Sequence, residues 1–167
     1  TIGLPITKSL FLEETLDGIS KQTFEDFELI IRNNAETQAL KQEIKEICIP
    51  WLKYPNVTYL ESEVQVPIAE NFNEIVKVAR GEYFTMLSDD DVMHPDFLNE
   101  FNSLAEAFPQ VNVFHCRIRT IDEHSSVTEY GWVGPRFETL PDFLFHHLSG
   151  TRGTNLSNFV VKTAELQ

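Results

Sequence analysis

A mostly parallel α/β sheet with helices on both faces is the fold this sequence predicts, and three observations predict it. Short apolar runs alternate along the chain with stretches whose apolar residues recur at helical spacing, the pattern of strand–helix–strand units. The chain has 167 residues, 42% of them hydrophobic and 11% aromatic, enough for one domain with a real core. Three adjacent carboxylates, Asp89, Asp90 and Asp91, stand just past an apolar run, where α/β sheets bind their ligands.

The elements follow in order. "TIGLPI" (1–6) is a short buried strand broken by Pro5. A helix runs from Phe11 to Lys21, with Leu12, Leu16 and Ile19 on one face. "FELII" (27–31) is the second strand and "RNNAET" (32–37) a polar turn after it. Leu40, Ile44 and Ile47 mark a helix that ends before Pro50, and "VTYL" (57–60) is the third strand. From Ile68 to Val78, Phe72, Ile75 and Val76 line a helix closed by Arg80-Gly81. "EYFTML" (82–87) is the fourth strand, and Pro95 opens a helix bearing Leu98, Phe101 and Leu104. "VNVFHC" (111–116) is the fifth. An irregular region with a short helix after Pro141 leads to a last strand in "NLSNFVV" (155–161). Thr1 stands inside an apolar strand start and Gln167 soon follows another strand, so both ends read as cut.

Charge narrows the function. Lys plus Arg number 13 against 26 Asp plus Glu, a net −13, which repels nucleic-acid backbones and anionic lipid. A small anionic ligand held through a metal ion stays compatible with it. Cys48 and Cys116 lack metal-ligand spacing and read as reduced thiols, which fits a cytoplasmic setting. Two glycosylation sequons, at Asn56 and Asn155, come without a signal peptide. No apolar run reaches the ~20 residues of a membrane span.

The acidic triplet needs a physical explanation, because adjacent carboxylates make one another costly to ionise. An adjacent cation removes that cost, and all-oxygen ligands of this kind suit Mg²⁺ or Mn²⁺. The same residues would also serve as a polar turn with an Asp capping the helix at Pro95.

Two stretches resemble family 2 glycosyltransferases of the GT-A fold. In "LPITKSLFLEETLDGISKQTFEDFELIIRNNA" the likeness rests on Pro5, on Glu14 to Ile19, on Gln22-Thr23 and on Asp26-Phe27-Glu28. In "IAENFNEIVKVARGEYFTMLSDDDVMHPDFL" it rests on Ala69, Asn71, Gly81-Glu82-Tyr83, Asp89 to Asp91, Pro95 and Leu98. The likeness is close over residues 2–98 and thins afterwards. It implies a GT-A (Rossmann-like) sheet truncated at its C-terminal side. Residues 1–117 would form the nucleotide-sugar binding half and 118–167 the start of an acceptor-side half.

The resemblance further implies metal-dependent, inverting transfer of a sugar from a nucleotide-diphosphate donor to an acceptor hydroxyl, in polysaccharide or surface-glycan assembly. UDP-sugars are favoured, with GDP and TDP open; the acceptor would be a glycan or a lipid-linked one, and the inner face of the membrane is a compatible place of work. The triplet matches the family's "DXD" metal motif. Asp90 would be the direct ligand of Mg²⁺ or Mn²⁺; Asp91 would join it or cap the helix; and Asp89, beside Ser88, would face the donor's ribose or the metal's water. Pro5, Ile6 and Thr7 would contact the base, and Asn71 matches a family Asn near the donor. The general base is expected beyond Gln167.

Three positions depart from the family pattern. Asn33 or Asn34 occupies a usual Asp position, Lys8 a usual Asn and Glu70 a usual basic residue. The asparagine and Glu70 departures keep open a non-catalytic nucleotide- or sugar-binding module that retained the fold. A nucleotidyltransferase needs a Gly-rich basic loop that "LPITKSLF" lacks. His146 and His147 point ~100° apart on a helix and do not chelate one ion. His94 could reach a phosphate or stay solvated, and "SGTRGTN" (149–155) reads as a flexible acceptor-side loop.

Overall fold

The structure is a computed structural model that describes residues 1–151 and 155–167; Arg152, Gly153 and Thr154, within the glycine-containing loop singled out above, lie outside them. The helices are α1 (Leu12–Ser20), α2 (Gln38–Cys48), α3 (Ile68–Val76), α4 (Phe97–Ala107) and α5 (Leu140–Leu148). The strands are β1 (Ile2–Ile6), β2 (Leu29–Asn33), β3 (Val57–Glu61), β4 (Tyr83–Met86), β5 (Val113–His115), β6 (Arg119–Ile121), β7 (Val127–Tyr130) and β8 (Phe159–Lys162). A six-stranded sheet takes the order β3-β2-β1-β4-β8-β5. β1 pairs in parallel with both β2 and β4, and β2 with β3, while β8 runs antiparallel between β4 and β5.

The mostly parallel sheet expected from the alternating pattern is the one observed. Each face is buried by helices, and the pleat decides which residue meets which. Ile2, Leu4 and Ile6 of β1 and Leu29 and Ile31 of β2 join Leu12, Leu16 and Ile19 of α1 and Ile44 of α2 in one core. Ile30, Phe84 and Met86 face the other way, onto Ile75 and Ala79. Gly3 belongs to that second face, where no side chain fits between β1 and α3.

Three expectations need correction. β2 extends to Asn33, so Arg32 and Asn33 belong to the strand and not to a turn. Both pair across it in register, Arg32 with Pro5 and Leu60, Asn33 with Ile6 and Glu61. The region after β5 holds a hairpin, β6–β7, whose strands are exposed along their length and so carry no alternation to read. Its turn is made by Asp122, whose side chain accepts from His124 N and Ser126 N, with Ser125 at φ 59°. The last strand starts at Phe159; Leu156–Asn158 is a single 3₁₀ turn.

Glu28 ties two of the quoted motifs together. Its carboxylate accepts from Arg80 N at 2.6 Å, Gly81 N at 3.1 Å and Thr1 Oγ1 at 2.6 Å, and pairs with the Arg80 guanidinium at 3.0 Å. Burial pushes its pKa up, but these hydrogen bonds outweigh burial and hold it below the ordinary value of 4.5. A lowered carboxyl pKa stabilises the fold fully above the unfolded value, and that contribution is lost as pH falls through the folded value. Glu28→Gln is therefore expected to flatten the acid limb of a stability-against-pH curve between about pH 5 and pH 3. Urea titrations across that range check it, and parallel limbs for the two proteins would count against the assignment.

Candidate functional site

A cleft of about 360 Å³ opens at the carboxyl ends of β1, β2 and β4. That volume lies in the range of small-molecule sites. Pro5, Thr7, Asn34, Asn71 and Ser88, all expected donor contacts, line it together. Gln65, Val66, Ile68, Phe72 and Leu156 complete the wall. Gln65, Val66 and Leu156 come from a loop and a turn without periodicity and left no mark as site residues, whereas Ile68 and Phe72 belong to α3 and read along the chain only as helix positions. Ile6 and Asn33 lie on the opposite face of the pleat and are 0% exposed. Ile6 packs in the core beneath α1. Asn33 donates to Lys41 O and to the Tyr59 hydroxyl, both at 2.9 Å, and accepts from Ala35 N. Its place is to end β2, so of the two asparagines it is Asn34 that reaches the cleft.

Asn34 has a task that an aspartate cannot perform. Its Oδ1 accepts from Val66 N at 2.9 Å and its Nδ2 donates to Val66 O at 3.0 Å, so one side chain pairs with a backbone at both ends. A carboxylate only accepts. The pair fixes the loop between β3 and α3, and Lys41 Nζ reinforces that loop by donating to Ser62 O and Glu63 O. Asn71, nearly fully buried, accepts from Arg32 Nε at 2.9 Å and so carries the end of β2 onto α3.

The acidic triplet follows β4 at the edge of this cleft. Its carboxylates take their hydrogen bonds from different donors, with Lys8 shared between Asp89 and Asp90. Asp89, 6% exposed, accepts through Oδ2 from Thr7 N at 2.8 Å, Lys8 N at 3.1 Å and the Thr7 hydroxyl at 3.3 Å. Asp90 points outward and pairs with Lys8 Nζ at 2.6 Å. Asp91 accepts from the Ser157 hydroxyl, which in turn accepts from Ser88 N at 3.1 Å. Asp91 therefore does not cap α4, where Asp96 holds the N-cap position. Like charges at adjacent positions are separated this way because each finds its own donor. Among the described residues, no three His, Cys, Asp or Glu side chains are grouped to hold a metal ion.

The segment after the triplet is braced by α1. Gly18 meets Val92 and the Met93 backbone so closely that an added Cβ would lie 2.9 Å from Val92 Cγ1. Gln22 Nε2 donates to Gly18 O and His94 O, while its Oε1 accepts from Leu98 N. Thr23 N donates to Pro95 O at 2.9 Å. The Gln-Thr motif thus holds the acidic loop in place from below. His94 spends Nδ1 on Asp96 N at 3.3 Å.

The remaining singled-out residues lie elsewhere. His147 stacks on Phe143, and His146 bonds the Thr151 hydroxyl. Cys48 is buried, its thiol pushed up to about 12 by burial, and Cys116 is half-buried; both are free. Among the described residues no helix is long and apolar enough to cross a membrane.

A family model described as Glycosyl transferase family 2 matches residues 7–159. The amylovoran biosynthesis glycosyltransferase AmsB of Erwinia amylovora is 26% identical over 136 residues, covering 70% of this chain and 44% of the relative. Among solved structures, Staphylococcus aureus TarS in complex with UDP-GlcNAc superimposes with a TM-score of 0.71 at 18% identity, over 99% of this chain and 45% of that one. The Pyrobaculum calidifontis mannosyltransferase PcManGT, in complex with GDP-Man and Mn²⁺, gives 0.56 at 20% identity, over 71% and 35%. At these identities the structures establish the fold alone. The chain spans less than half the length of the curated relatives it matches.

Proposed function

The chain belongs to glycosyl transferase family 2, and from that premise we propose that it binds a nucleotide-diphosphate sugar and serves its metal-dependent, inverting transfer to an acceptor hydroxyl. The observation that carries this is one cleft holding Pro5, Thr7, Asn34, Asn71 and Ser88 with the acidic triplet at its rim. Pro5, Val66, Ile68 and Phe72 offer apolar surface for a flat base, and Thr7 and Ser88 offer hydroxyls beside it. Residues 1–117 are read as the donor half and 118–167 as the start of the acceptor side.

A divalent cation fits the rim. The donor set is all oxygen, and Asp90 already attracts a cationic group, the Lys8 ammonium. Asp90 and Asp91 would hold Mg²⁺ or Mn²⁺, an ion that takes few protein carboxylates and completes its shell with phosphate and water. When bound, the ion supplies positive charge against the negative charge that builds on a departing nucleoside diphosphate. Asp89 works without it, tying the end of β1 to the end of β4.

A UDP-sugar is the favoured donor, supported by the UDP-GlcNAc complex of TarS; GDP has the parallel of PcManGT. A role in polysaccharide or surface-glycan assembly, on a glycan or lipid-linked acceptor, is supported by AmsB, named for amylovoran biosynthesis.

Thermal melting with Mn²⁺ and UDP, GDP or TDP tests the reading. Metal with the right nucleotide at ~100 times Kd should raise Tm by roughly 5–10 °C, and neither alone should match it. Asp90→Ala should remove the shift. No shift with any pair would sink the donor site. Release of UDP from a UDP-sugar then separates a transferase from a binding module.

A further inference from the structure

Lys8 is the one cationic side chain within 4.0 Å of the acidic triplet among the described residues. Its Nζ lies 2.6 Å from Asp90 Oδ2 and 4.0 Å from Asp89 Oδ1. The position is set by the backbone, because Asp89 grips Lys8 N as well as Thr7 N. Lys8 is therefore anchored at its root by one carboxylate while its tip neutralises the next. Both partners of the tip contact stay accessible, with side-chain exposures of 52% for Lys8 and 39% for Asp90. An exposed ion pair of this kind exchanges readily. A lysine ammonium is charged across the neutral range.

We propose that Lys8 is a tethered counter-ion that occupies Asp90 until a divalent cation displaces it, and that the released ammonium then pairs with the diphosphate of the donor. The inference rests on the donor-site reading above. It follows from charge and reach. Three carboxylates side by side favour a cation at all times, and Lys8 supplies one from within the chain. A metal ion at Asp90 removes the ammonium's partner. Lys8 follows Thr7, a residue of the cleft wall, so the freed tip stays where phosphates carry negative charge. Metal and Lys8 thus compete in the empty protein, whereas metal and nucleotide cooperate through Lys8.

The test compares wild type with Lys8→Met. Lys21→Met serves as the control, since it removes the same charge from an exposed pair with Asp17 at the far end of α1. Free Mn²⁺ is followed by electron paramagnetic resonance without nucleotide, and UDP binding by calorimetry at saturating Mn²⁺. Lys8→Met should bind Mn²⁺ alone about 3- to 10-fold more tightly than wild type and bind UDP about 3- to 10-fold more weakly. Lys21→Met should leave both within about twofold. Unchanged or weaker Mn²⁺ binding by Lys8→Met, with wild type binding Mn²⁺ and UDP normally, overturns the counter-ion proposal alone. Tighter Mn²⁺ with unaltered UDP affinity overturns the delivery of the ammonium to phosphate. Failure of every protein to bind Mn²⁺, even with UDP, overturns the metal reading together with this one.

Discussion

Asp89→Ala is expected to cost about 3 kcal/mol of folding stability and to abolish nucleotide binding. The carboxylate is almost buried and holds two backbone N–H groups of the first loop, Thr7 N and Lys8 N. Hydrogen bonds to a charged acceptor contribute about 1.5–3 kcal/mol each, and losing the acceptor leaves both donors without a partner. The loop that lines the cleft would then detach from β4, so binding fails for a structural reason. Asp89→Asn separates position from charge. Its amide oxygen still accepts from both N–H groups, so most stability should return, while the weak attraction to Lys8 is lost. Denaturation in urea and UDP titration with Mn²⁺ check both halves. An Asp89→Ala protein as stable as wild type would show that these bonds do not hold the loop.

Gly3→Val should destabilise the fold by about 3 kcal/mol. Gly3 sits in β1, at the centre of the sheet, on the face that α3 covers. A Cβ there would lie 2.7 Å from Ile75 Cγ2, 2.8 Å from Phe84 Cζ and 3.1 Å from Met86 Sδ. Branching at that carbon adds two methyls to a space already closed, and α3 must lift away. Gly3→Ala should cost less, about 1–2 kcal/mol, because relief of glycine's backbone entropy offsets part of the clash. Urea midpoints for the two variants should fall in that order. A valine variant with an unchanged midpoint would mean that α3 does not pack on β1 as described.

These two positions show which kinds of information a sequence carries. Gly3 is silent when read along the chain, since glycine in a strand signals only a close approach of something. The approaching residues, Ile75, Phe84 and Met86, are far away in sequence. Asp89 was conspicuous as one of three carboxylates, yet its partner was not, because the N–H groups it binds lie 82 and 81 positions away. The Gln-Thr motif is similar. Gln22 and Thr23 were visible as part of a resemblance, while their task of bracing His94, Pro95 and Leu98 needed the tertiary fold. The choice between Asn33 and Asn34 turned on pleat phase, which required the true end of β2.

Local spacing determined the helices, the parallel strands and their order along the chain, because apolar periodicity is a property of neighbours and survives without any knowledge of the fold. It also placed the acidic triplet at a strand's carboxyl end. The hairpin β6–β7 escaped because its exposed strands bury no face and leave no periodic trace. Only the tertiary structure decided that Asn34 pairs with Val66, that the three aspartates find their donors in Thr7, Lys8 and Ser157, and that Lys8 reaches Asp90. Those contacts join residues brought together by packing, and a hydrogen bond between distant positions leaves no mark in the sequence near either of them.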